Sequence, residues 1–299
     1  MTGFRWRLVL SAVGAVFLIA LGVAWYQLPS VGANLLLHPQ RRAEAGLAPQ
    51  TCESTTFAGD RLSLKGWRCH APGDSRGTLV YLHGIGDNRW SGAGIVKRFG
   101  TRGFDVVAYD ERAHGESDGD ACTYGFFEKE DLHRVIDTIG HGPIILLGHS
   151  LGAAVALQEA AGDPRITTVV AAETFSDLRT VATERAPFFF SSGVIDRGFR
   201  LAEREARFQV DAVSPVNAAR QITIPVLMIH GEADTDTPPG HSQRVFDALA
   251  GPKRLILVPG ARHNESLRGD VWDQIDRWVD AVVGSSTDDH ESRPTNPKG

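Results

Sequence analysis

Gly148-His149-Ser150-Leu151-Gly152 is the most informative pentapeptide of the chain. It follows the apolar run 144–147 and precedes the helix-forming Ala153-Ala154-Val155-Ala156-Leu157. The pattern is G-x-S-x-G between a strand and a helix, the context of a nucleophile elbow. The flanking glycines have a steric reason. The serine sits on a sharp, strained turn, and a side chain two positions to either side would collide with neighbouring backbone. Such a turn carries Ser150 Oγ to its tip and directs the positive end of the following helix at the site.

Working outward, short apolar runs alternate with helical patterns. Strands are expected at 79–82, 105–109, 144–147, 168–172, 226–229 and 255–258, with helices at 94–102, 128–139, 151–161, 242–249 and 271–283. The strand runs are continuously apolar, as for strands buried on both faces. Alternating strand and helix means an α/β fold with a mostly parallel central sheet flanked by helices. About fifty residues separate Ala172 from Val226, more than a crossover needs, and they read as a short helical lid over about 174–215. Helices are expected there at 177–184 and 195–208, interrupted by Pro187-Phe188-Phe189-Phe190. The phenylalanines suit a lid core, an acyl-chain wall or a membrane-facing patch equally. Residues 285–299 lack core-forming residues and read as a disordered tail.

An N-terminal antiparallel hairpin is expected before the sheet, with strands at 51–57 and 62–68 joined through Gly59-Asp60. It would set Cys52 nearly opposite Cys69, and a disulfide between them persists only in an oxidising compartment. Cys122 would then be the free thiol of the three cysteines. Upstream, residues 8–26 carry no charge, close to the ~20 that span a hydrocarbon core. Trp6, Trp25 and Tyr26 lie at the two ends of this run, and Arg5 and Arg7 precede it. The reading is a transmembrane anchor over 8–28, a cytoplasmic N-terminus at 1–7 and an extracytoplasmic catalytic domain over 29–284. The alternative is a cleaved signal peptide, with Gly22 and Ala24 before the cut at Trp25. The remaining composition is ordinary: 42% apolar, 22% charged and a formal net charge of −5. That excludes a disordered or fibrous chain and lends no electrostatic support to nucleic-acid binding. No closely spaced Cys and His ligands suggest a metal site.

The chain resembles the α/β-hydrolase superfamily over residues 52–284. Within it, the chain looks most like membrane-anchored serine hydrolases: acyl-protein thioesterases, lysophospholipase-like enzymes and bacterial esterases. The residues that carry the resemblance are His83-Gly84, the segment Asp110-Glu111-Arg112-Ala113-His114-Gly115-Glu116-Ser117, the Ser150 elbow, His230-Gly231-Glu232-Ala233-Asp234 and Gly260-Ala261-Arg262-His263. Ala113 stands where relatives often carry glycine. A serine hydroxyl needs a base, and the base needs a carboxylate to set its tautomer. His263, after the last strand, is the expected base; His83, His114, His149 and His230 compete, and His149 is expected to point elsewhere. Asp234 is the expected acid, matched through the resemblance, and Asp236 is its rival. The oxyanion donors are the amide of Leu151 and, as the resemblance implies, that of Ile85.

The expected activity is hydrolysis of a carboxylic ester or thioester, of a lipid or an acylated protein, with no cofactor. A peptide or amide hydrolase on the same fold is an alternative, as is an inactive membrane-tethered binding protein. Asp87, Asn88 and Arg89 read as a turn, Arg112 and His114 as loop braces, and Glu173 and Asp177 as helix caps. Asn264-Glu265-Ser266 fits a glycosylation acceptor, but a glycan beside His263 would obstruct the site.

Overall fold

The computed structural model describes residues 2–42 and 48–291. Eight strands form one sheet: β1 (Cys52–Ala58), β2 (Ser63–Cys69), β3 (Thr78–Leu82), β4 (Asp105–Tyr109), β5 (Ile144–His149), β6 (Ile166–Ala172), β7 (Val226–Gly231) and β8 (Lys253–Val258). Their order is β1-β2-β4-β3-β5-β6-β7-β8. The β1–β2 and β2–β4 pairs are antiparallel, and every later pair is parallel. The parallel strands are the runs without alternation, because helices cover both of their faces. On one face pack α3 (Glu128–Ile136), α4 (Leu151–Ala160), α7 (Pro215–Ala219) and α8 (Gly240–Ala248), through residues such as Leu132, Val155, Ala219 and Val245. On the other lie α2 (Ala93–Gly100) and α9 (Val271–Glu291), through Ile95, Phe99, Ile275 and Val279. Helix α9 continues through 285–291, the first part of the stretch read as a tail; 292–299 lie outside the described residues.

The hairpin register sets Cys52 opposite Cys69, and the two sulfurs are bonded at 2.03 Å. Cys122 is free and buried. Ala113 has φ 60°, in the left-handed region that glycine occupies without a Cβ penalty. The loop keeps its shape around alanine because Ala113 N donates to Asp118 O at 3.0 Å and His114 N to Glu111 O at 3.0 Å.

The long insertion between β6 and β7 holds α5 (Leu178–Glu184) and α6 (Ser192–Ala206). Both start on a side-chain cap, Asp177 accepting from Thr180 N and Ser191 from Val194 N. The N-terminal helix α1 (Thr2–Leu37) is one continuous element. Its segment Ala12–Leu37 is apolar and long enough to cross a membrane. Two different surfaces divide it. Residues 12–27 are exposed all round, whereas Pro29, Ala33 and Leu37 are buried at a spacing of four. That stripe packs on α6, where Gly198 leaves room for close approach: a Cβ there would stand 3.3 Å from Pro29 O. The end of α1 is also tied to the body, with Tyr124 Oη donating to Leu36 O at 2.9 Å and Cys122 N to Leu37 O at 2.8 Å.

Candidate active site

The elbow joins β5 to α4. Ser150 has φ 50° and ψ −109°, a strained conformation for an L-residue. Hydrogen bonds from both sides hold it: Ser150 N donates to Ala172 O at 2.8 Å and Gly152 N to His83 O at 3.0 Å. The glycine requirement is visible as distance. A Cβ on Gly148 would lie 2.3 Å from Gly152 O, and one on Gly152 would lie 2.2 Å from Leu82 O. The backbone that would have to yield is the start of α4 in the first case and the end of β3 in the second.

Two further loops reach this turn. His263 follows β8, and its Nε2 lies 3.0 Å from Ser150 Oγ. Asp234 follows β7, and its Oδ2 lies 2.6 Å from His263 Nδ1. Asp234 Oδ1 accepts the amides of Asp236 and Thr237, each at 2.9 Å. Burial alone would raise the Asp234 pKa, but hydrogen bonds from His230, His263 and Thr237 outweigh it and hold the carboxyl well below the usual range. Asp236 is exposed, and its amide serves Asp234. The structure thus brings Ser150, His263 and Asp234 together, while Asp236 stands exposed outside the relay. The competing histidines have other partners. His83 Nδ1 lies 2.8 Å from Gly84 O while its Nε2 accepts Glu111 N at 2.9 Å, and burial depresses its pKa to about 4. His230 bridges Ser242 Oγ and Thr237 O, and its Nε2 lies 3.2 Å from Asp234 Oδ2, so it contacts the acid and not Ser150. His114 Nδ1 bonds Arg112 O, and Arg112 forms a two-point ion pair with Asp131 at 2.7 and 2.8 Å.

Glu173 was expected as a helix cap and has a different place. It is fully buried, with φ 55°. Its carboxylate accepts from Asn264 N at 2.5 Å, Ser266 N at 3.1 Å and His149 Nε2 at 2.8 Å, and lies 3.6 Å from His263 Nδ1. One carboxylate therefore clamps the loop carrying His263. His149, in turn, does not point away from the site: its ring lies 5.7 Å from that of His263. The available sequence signal was position, since Glu173 follows the last residue of β6, and β6 pairs with the elbow strand β5.

Burial pushes the Glu173 pKa up, but the hydrogen bonds from His149, Ser266 and Asn264 bring it down from 4.5 to about 2. A depressed carboxylate stabilises the fold above its unfolded pKa and loses that contribution as pH falls through the folded value. The stability gap between the wild type and Glu173→Gln is thus expected to be widest above pH 4.5 and to close towards pH 2. Its size is up to about 3 kcal/mol. Denaturant unfolding at several pH values measures it, and a gap independent of pH would contradict the clamp.

The amides of Leu151 and Ile85 donate to no protein acceptor among the described residues. Ile85 and Ser150 both line an open cleft of about 740 Å³, together with Arg42, Asp87, Arg185 and Asp236. Beside it lies a mainly apolar cavity of about 290 Å³ between the end of α1 and the insertion. Ile85 and Arg185 line both. Phe188 is 99% exposed, whereas Phe190 lines the apolar cavity. His133, Glu159 and Asp163 cluster closely enough to hold a cation, but Arg165 already fills that role with bonds of 2.6–3.0 Å to Asp163.

Residues 77–201 match the alpha/beta hydrolase fold family. The uncharacterised protein YfhR of Escherichia coli K12 is 29% identical over 286 residues, covering 90% of this chain and 93% of that protein. The uncharacterised protein YqkD of Bacillus subtilis 168 is 30% identical over 213 residues, covering 67% of this chain and 68% of that protein. Among solved structures, the Pyrococcus furiosus esterase Pf2001 superposes with a TM-score of 0.63 at 22% identity, covering 83% of this chain and 97% of that one.

Proposed function

The chain belongs to the α/β-hydrolase superfamily, and from that premise we propose that it is a membrane-anchored serine hydrolase of carboxylic esters or thioesters. One observation carries the reading: the unbroken relay from Ser150 Oγ through His263 to Asp234, at 3.0 and 2.6 Å. In this mechanism His263 Nε2 takes the Ser150 proton as Oγ attacks the acyl carbon. The developing oxyanion is met by the amides of Leu151 and Ile85. As the carbon–leaving-group bond breaks, the same proton passes to the departing alkoxide or thiolate. Water, deprotonated by His263, then releases the acid and restores Ser150. Asp234 keeps the Nδ1–H tautomer and offsets the charge of the imidazolium, and Glu173 is a positioning residue that holds the His263 loop.

An ester or thioester is favoured over an amide because the open 740 Å³ cleft suits a substrate needing little anchoring, and the similarly folded Pf2001 is an esterase. The bare part of α1 is read as a membrane anchor, with Arg5 and Arg7 on the cytoplasmic side. The Cys52–Cys69 bridge is consistent with a catalytic domain outside the cytoplasm. Labelling the full chain with a fluorophosphonate and mapping the adduct by mass spectrometry tests the nucleophile. Modification at Ser150 is expected; modification elsewhere, with Ser150 untouched, would refute it.

A further inference from the structure

The end of α1 does something an anchor alone does not require. Past Gln27 it leaves its bare stretch, and within three turns Gly32, Leu35 and Leu36 become a wall of the 290 Å³ apolar cavity. The facing walls are Val181 of α5, Phe190, and Phe199 of α6. The contact is close, since a Cβ on Gly32 would stand 3.2 Å from a Phe190 ring carbon.

We propose that this cavity is the acyl-chain site of the enzyme and that its substrate is a single-chain membrane lipid ester, drawn in along the anchor helix. The proposal rests on the ester-hydrolase reading above and adds the substrate class. Three observations carry it. Ile85 and Arg185 line both the cavity and the cleft that holds Ser150, so the two lie side by side and a chain in the cavity would have its carboxyl end towards the nucleophile. Arg185 lies at the junction, its guanidinium held by Asp236 O at 2.7 Å and by Thr237 Oγ1, so a polar boundary divides chain from head group. The volume is at the small end of ligand sites, which run about 300–1,000 Å³, and suits one chain rather than two.

The route also has a physical basis. Helix α1 is bare over 12–27 and docked beyond, so a membrane around the bare part ends beside the cavity. Phe188 and Phe189, 99% and 50% exposed, lie on the insertion that packs against the docked part, next to Phe190. Exposed aromatic rings at that level suit the interfacial region. A chain entering there exchanges hydrocarbon for protein without crossing water. A water-borne acylated protein gains nothing from the arrangement.

The test uses the full-length protein in phosphatidylcholine nanodiscs, with p-nitrophenyl esters from acetate to dodecanoate. For the wild type, kcat/KM is expected to rise up to about fourfold per added methylene until the cavity is full. Leu35 is 68% exposed, so Leu35→Trp puts bulk at the cavity mouth without loading the core. It is expected to lower the dodecanoate-to-acetate ratio of kcat/KM at least tenfold; an unchanged ratio would overturn the proposal. Binding of 1-O-dodecylglycerol, a non-hydrolysable ether, to the Ser150→Ala protein reads the cavity independently of turnover. Binding weakened by Leu35→Trp supports the site, and no binding to either protein overturns it. Absent Ser150-dependent hydrolysis of every ester, with ether binding intact, the ester-hydrolase reading fails and the cavity assignment stands. Dodecanoylglycerol and dodecanoyl lysophosphatidylcholine, assayed side by side, identify the head group. Faster cleavage of an S-dodecanoyl peptide than of both lipids would overturn the lipid assignment.

Discussion

Ser150→Ala is expected to lower kcat for a short p-nitrophenyl ester about a million-fold, equivalent to about 8 kcal/mol of transition-state stabilisation. The expected loss is large because, in the proposed mechanism, Oγ forms the acyl-enzyme, and without it the two-step path closes. The remainder is not zero, since the amides of Leu151 and Ile85 still meet an oxyanion formed by direct attack of water. The variant should fold normally. Alanine removes one oxygen, and the amide bonds of residues 150 and 152 that fasten the elbow use backbone alone. Adding His263→Ala to Ser150→Ala should cost little more, because the two side chains act as one unit. A single-variant loss below tenfold, in protein with an unchanged circular dichroism spectrum, would remove Ser150 from the reaction.

Asp234→Asn is expected to lower kcat about 10⁴-fold. Asp234 Oδ2 accepts from His263 Nδ1 at 2.6 Å, which leaves Nε2 free to take the serine proton. An asparagine amide facing Nδ1 donates instead of accepting. The ring then carries its proton on Nε2, facing Ser150, and ceases to be a base. Buried Asp234 also balances the imidazolium charge at close range, and the neutral amide does not. Asp236→Asn is the comparison: that side chain is exposed in the cleft, but His263 Nδ1 is bonded to Asp234 instead, so the loss should be far smaller than for Asp234→Asn. Steady-state kinetics of the two variants decide the assignment. A greater loss with Asp236→Asn would exchange their roles.

Ser150 was readable because its glycines answer to a local collision: Gly148 and Gly152 stand where a Cβ would strike backbone at 2.3 and 2.2 Å. The parallel strands were readable because burial on both faces leaves runs such as 144–147 without alternation. His263 and Asp234 were reached through chain order and resemblance, not through any local pattern that names a base or an acid. Glu173 was misread as a cap. Locally it is one acid before a helix, and its clamp on the His263 loop joins residues 91 and 93 positions apart.

Most elements and their succession are legible in the chain, because periodicity, glycine sterics and the apolar length of α1 are local properties; α7 and the continuation of α9 through 285–291 are not. That 29–37 of α1 leave the bare stretch and join the insertion, and that one carboxylate holds the His263 loop, emerges only from the folded packing. The same packing sets Ile85 and Arg185 between a polar cleft and an apolar cavity. Each of these depends on backbone segments far apart in the chain being brought within a few ångströms. Distance in space is set by the packing of the whole sheet and its helices, and no short stretch of sequence carries it.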